Sequence, residues 1–129
     1  MSTQTNLAAM LATLDVHQRP GEYVFASVAD ARFGALDPQA SLREAEGWTV
    51  VLDRAQADAA GLAYDFVAAW LTLDVHSALA AVGLTAAVAR VLAEAGIACN
   101  VLAGFHHDHL LVPHARAAEA MHLIRGLRG

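Results

Sequence analysis

The sequence has little charge, little proline and almost no cysteine. Its single cysteine, Cys99, cannot close a disulfide within the chain, and a reducing, cytoplasmic setting fits. Only 16% of the 129 residues are charged, and eight basic residues against thirteen acids leave a formal net charge of −5. No basic cluster interleaved with aromatics occurs, which argues against nucleic acid as a partner. The opening "MSTQTNLAAMLATL" lacks a positively charged segment leading into an apolar stretch, so it does not read as a signal peptide. No apolar run is long enough to span a membrane, because Asp65, Asp74, His76, Arg90 and Glu94 interrupt the region from Leu62 to Phe105. There is no Gly-x-Ser-x-Gly elbow and no glycine-rich phosphate loop, so neither an enzymatic activity nor a cofactor is expected.

What is present is apolar: 57% of residues are hydrophobic and the mean hydropathy is +0.41. The length suits one domain or two small, mutually dependent subdomains. The apolar surplus exceeds what so short a chain hides alone, which favours a homodimer or another oligomer. Leu7, Met10, Leu11 and Leu14 form one stripe of a short helix, stopped by "QRPG" at residues 18–21. Strands are expected over "EYVFASV" (22–28) and "WTVVLD" (48–53), with an irregular stretch holding one short strand between them. A short helix follows over "RAQADAAG", ended by Gly61.

The second half is more regular. "AWLTLDVH" (69–76) reads as a strand, and "LTAAVARVLAEAG" as a helix with Leu84, Val88, Val91, Leu92 and Ala95 on one face. "IACNVLAGF" reads as a buried strand and "DHLLVP" as another, before a helix over "HARAAEAMHLIRGL" for which Pro113 is a tolerated start. Strand, helix, strand, strand, helix is a ferredoxin-like βαββαβ unit without its last strand. The expected fold class is therefore α+β, with two incomplete ferredoxin-like units (1–66 and 67–129) whose antiparallel sheets are packed by helices. The edge left by the absent strand must be covered by a strand of the first half or by a neighbouring chain.

Several segments carry a resemblance: "GEYVFASV" and "EAEGWTVVL", then "LTLDVHSALAAVGLTAAVARVLAEAGIACNV" and "HDHLLVP". Together, from Gly21 to about Leu127, they resemble ACT domains, and most of all small bacterial proteins with two ACT-like units in tandem. In that group aromatic residues usually precede "HDH", whereas here Phe105 is followed by His106. The resemblance implies a ferredoxin-like fold and a small-molecule ligand, an amino acid or similar metabolite, bound at an interface between ACT-like units. It implies that Val82, Gly83 and Leu84, in the turn from strand to helix, present backbone amides to the ligand. A helix N-terminus has unpaired N–H groups and a partial positive charge. It further implies contacts from Asn100 on the next strand and from Ser77 near the turn, while Glu46 supplies the opposite charge for an amino group.

The segment "GFHHDHLLVPHARA" (104–117) holds four of the seven histidines. His107 and His109, two apart, share a strand face, and the strand ending at His76 finishes beside the one that begins at Asp108 and His109. Three readings stay open for His76, His107, Asp108 and His109: a divalent-metal site, a ligand or interface contact, or turn polarity that satisfies the backbone. Gly83 likewise has a structural explanation in a tight turn, and Asn100, taken as buried, requires a partner. The leading expectation is a non-enzymatic, amino-acid-binding regulatory protein. The alternatives are a structural interaction module acting through dimerisation, and a metal-binding protein using the histidine segment.

Overall fold

The computed structural model describes residues 6–75 and 82–129. They form two compact units, one of residues 21–68 and one of residues 6–20 together with 69–75 and 82–129. In chain order the elements are α1 (Leu7–Ala12), β1 (Val16–Val28), α2 (Asp30–Phe33), β2 (Ala40–Glu44), β3 (Gly47–Asp53), α3 (Arg54–Ala59), β4 (Val67–Leu73), α4 (Leu84–Glu94), β5 (Asn100–Ala103), β6 (Asp108–Pro113) and α5 (Ala117–Arg125).

In the unit of residues 21–68 the strands lie in the order β2-β3-β1. β1 and β3 pair antiparallel from Tyr23 opposite Asp53 to Val28 opposite Trp48. β2 and β3 pair antiparallel from Ala40 opposite Val51 to Glu44 opposite Gly47. The period-2 alternation sends Val24, Ala26, Val28, Val50 and Leu52 to one face, where Ala57 of α3 and Leu62 join them in a buried cluster. α3 starts at Asp53, whose carboxylate accepts from Ala55 N at 2.8 Å. It ends at Gly61, left-handed at φ +68, with Leu62 N donating back to Ala57 O at 2.9 Å. The expected strand at 48–53, the short strand in the preceding stretch and the glycine-ended helix are all present.

In the other unit the strand order is β1-β4-β6-β5, with β1 contributing only residues 16–20. Leu84, Val88 and Leu92 of α4 and Ala117, Ala120 and Ile124 of α5 pack with Met10 and Leu14 on Val16, Leu71, Leu73, Leu110 and Val112. Arg116 places its guanidinium on the open carbonyls at the end of α4, 3.1 Å from Ala95 O and 3.2 Å from Gly96 O. Arg125 bonds Asp15 and Val16 O, both at 2.8 Å, and Arg128 bonds Leu14 O at 2.6 Å, so the C-terminus holds the start of β1. These guanidinium bonds and the Val16 amide lower the Asp15 carboxyl from 3.8 to about 2.

The place beside β4 that a fourth ferredoxin strand would fill is taken by Val16–Pro20 of the same chain. Asp74 N donates to Asp15 O there at 2.7 Å. Two expectations are corrected. "QRPG" does not separate helix from strand: α1 ends at Ala12, and β1 runs through Pro20 and Gly21, the glycine absorbing a φ of +104. "IACNVLAGF" is not a buried strand either. Ile97 is buried, but β5 comprises only Asn100–Ala103, the last strand of its sheet, and Asn100, Val101 and Ala103 are exposed. An apolar run does not distinguish a central strand from an edge strand, since pairing, not composition, sets burial.

Candidate functional site

The N-terminus of α4 is built by Gly83, the residue before the first helical turn. Its φ of +104 is left-handed, and among the described residues no side chain caps the helix there. The first intrahelical bond runs from Ala87 N to Gly83 O at 2.9 Å, so the amides of the first turn point out of the helix end. Val82 is 81% exposed and Leu84 is buried in the core. One residue thus anchors the helix start while another before it is exposed. A Cβ at Gly83 would lie 3.0 Å from Leu7 Cδ2, so α1 packs directly on the turn. Glycine is required here by φ and by close approach, quite apart from any ligand.

Asn100 stands opposite Leu111 in the β5–β6 pair and is exposed, which removes the argument that a buried amide needs a partner. Ser77 and His76 lie outside the described residues. Glu46 is exposed in the two-residue turn between β2 and β3 and belongs to the unit of residues 21–68, whereas Gly83 and Asn100 belong to the other.

The β5–β6 hairpin turns over Gly104–His107, closed by Gly104 N donating to His107 O at 2.9 Å. Its tip exposes Phe105 at 80%. His109, the second residue of β6, projects to the face of β4 opposite the helices, where Trp70 and Thr72 alternate with core-facing Leu71 and Leu73. Trp70 Nε1 donates to His109 Nδ1 at 3.1 Å, and Thr72 Oγ1 lies 3.0 Å from the same nitrogen. An indole N–H only donates, so Nδ1 is the acceptor and the neutral ring carries its proton on Nε2. A Cβ at Gly104 would come within 3.3 Å of that Nε2 and 2.7 Å of His107 O, which explains the glycine. The Arg19 guanidinium lies 4.1 Å over the Trp70 ring. Burial pushes the His109 imidazole below its ordinary value, helped by Arg19, His107 and His17 and opposed by Asp108.

His107 and His109 have ring centroids 6.4 Å apart, and Asp108 opens β6 opposite Ala103. Among the described residues no group of three or more histidine, cysteine or acidic side chains is placed to hold a metal ion. With Nδ1 engaged, His109 has only Nε2 left for such a role. The partners of His109 are not evident from the sequence pattern used above, although Trp70 and Thr72 at alternate positions of a strand are the signal that could have found them. Cys99 is half-buried, and desolvation raises its thiol, which suppresses nucleophilic character. Among the described residues no helix is long and apolar enough to cross a membrane.

The ferredoxin-like units agree with what comparison with known proteins finds. ACT domain family models match residues 2–69 and residues 66–126. No curated protein matches the chain. A solved structure of a Vibrio cholerae protein of unknown function, described as a possible transport protein, is 39% identical over 95% of this chain and 96% of its own, with a TM-score of 0.87. The structure of aspartokinase α and β subunits aligns over 88% of this chain and 96% of its own at 12% identity and a TM-score of 0.63. An allosteric aspartate kinase of Clostridium acetobutylicum aligns over 88% of this chain and 34% of its own at 8% identity and a TM-score of 0.67. At such identities the kinases share the fold alone. The two family matches in tandem cover nearly the whole sequence, and the chain belongs to the ACT domain family.

Proposed function

We propose that this protein is a non-enzymatic, cytoplasmic regulatory protein that binds an amino acid through the turn at Val82, Gly83 and Leu84. ACT domains are typically regulatory ligand-binding modules, and here ACT matches over residues 2–69 and 66–126 take in almost the entire chain. The observation that carries the reading is the α4 N-terminus, entered through left-handed Gly83, flanked by exposed Val82 and without a side-chain cap among the described residues. Outward amides and the positive end of an 11-residue helix suit a carboxylate. Asn100 and Ser77 add polar contacts to the ligand in this proposal. The output is a change in the assembly of a homodimer, since a ligand that prefers one state shifts the equilibrium toward it.

A thermal-shift panel of the common amino acids and divalent metals, with and without chelator, tests the proposal. A concentration-dependent rise with one amino acid, lost in Gly83→Ala and reduced in Asn100→Ala, is expected, because a ligand selective for the native state stabilises it by mass action. A rise with metal alone, abolished by chelator and by His107→Ala, would replace this reading with a metal-binding one. A flat panel would favour an interaction module acting through dimerisation.

A further inference from the structure

The charge of the chain is unevenly placed. Residues 21–68 hold three of the eight arginines and eight of the thirteen acids, and so carry the whole formal charge of −5, while the remainder is neutral. Within this unit an open cavity of about 620 Å³ lies over β1 and β3, lined by Phe25, Ser27, Thr49, Tyr64 and Asp65. Phe25, Ser27 and Thr49 occupy strand positions that alternate with the core residues Val24, Ala26, Val28 and Val50. Ala26 and Ala63 complete the lining.

The polar groups are arranged with one sign. Asp65 lines the cavity with its acid, and the lining residue Thr49 donates its hydroxyl to the carboxylate of Glu44. Tyr64 has its hydroxyl engaged on both sides, donating to Asp58 at 2.6 Å and accepting from Arg54 Nε at 2.9 Å. It thus offers the cavity its ring rather than its oxygen. Arg54 is turned to that hydroxyl and to Glu22 at 3.5 Å, and no lining residue carries positive charge. Phe25 is backed by Phe66, with ring centroids 6.3 Å apart, so the floor is aromatic.

We propose that this cavity binds a small organic cation, an aliphatic amine in its ammonium form. The ammonium is held by Asp65 and the Thr49–Glu44 pair, and the alkyl body lies on Phe25 and Tyr64. An ammonium group donates hydrogen bonds to carboxylates and is attracted to aromatic faces. A carboxylate ligand would instead meet Asp65, an acid of its own sign. The site is separate from the α4 turn and does not depend on the function proposed for it.

Isothermal titration of the full chain with n-butylammonium chloride is the test, with n-butanol and sodium butyrate as neutral and anionic controls. Saturable binding of the ammonium alone is expected, weakened about tenfold or more in Asp65→Asn through loss of a charge-assisted bond. Asp30→Asn removes the same charge from an exposed position of the same unit outside the cavity, and is expected to leave binding unchanged. Absent saturation, equal binding of butanol, or equal losses in the two variants would each overturn the proposal. The last would reduce it to diffuse attraction by a negative unit.

Discussion

His109 illustrates how one side chain couples sequence, packing and pH. Its Nδ1 accepts from Trp70, and its environment disfavours the imidazolium. The unfolded chain takes up a proton at His109 near the ordinary histidine value, and the folded chain only at lower pH. Between those two values the unfolded state holds more protons, so stability is full above the unfolded value and falls as pH drops through this window. Thermal unfolding followed from about pH 7.5 down to about pH 5 should therefore decline more steeply in the native sequence than in His109→Asn, which cannot titrate there. Parallel curves would show that His109 is not a source of the pH dependence. At Gly83 both φ and the Leu7 contact resist a side chain. Gly83→Ala should cost about 1–2 kcal/mol in denaturant unfolding, and adding Leu7→Ala should recover little of it if the backbone conformation dominates.

The elements differ in how plainly the amino-acid pattern reveals them. α4 and β6 are legible because their apolar positions repeat with clear periods: Leu84, Val88 and Leu92 at helical spacing, and "DHLLVP" bounded by a polar turn and a proline. β5 is not, because "IACNVLAG" has a composition that suits a central strand, while its place at the end of the sheet order is set by the partners it lacks. β1 is legible only from residue 22, since Pro20 and Gly21 are read locally as a break, yet the strand passes through them. The turn at Val82–Leu84 can be named as a candidate ligand site only through family resemblance, because a glycine before a helix has a sufficient structural cause. The contrast between strands gives a direct test. Leu71→Ala in fully buried β4 should destabilise by about 2–5 kcal/mol, and Val101→Ala in exposed β5 by no more than about 0.5 kcal/mol, both measured by chemical denaturation. Equal costs would contradict the burial assigned to the two strands.

At the scale of the whole molecule, neither unit is a continuous half of the chain. The unit containing β4, β5 and β6 takes α1 and the first five residues of β1 from the N-terminus, with Met10, Leu14 and Val16 in its core. A fragment of residues 67–129 alone would bare the β4 edge and the apolar surface beneath α1. Circular dichroism should show no cooperative unfolding transition for it, whereas a fragment that folds cooperatively would mean that the N-terminal segment is dispensable. Tandem ACT units are thus a description of architecture, and regulation by an amino acid at the α4 turn is the claim that gives the architecture a purpose. The most direct test is a series of 1H–15N spectra of the labelled full chain titrated with pools of the common amino acids. The expected result is that one pool shifts the backbone amides of Gly83, Leu84 and Thr85 in a saturable manner. If every pool leaves those three amides in place, the proposed ligand site is wrong.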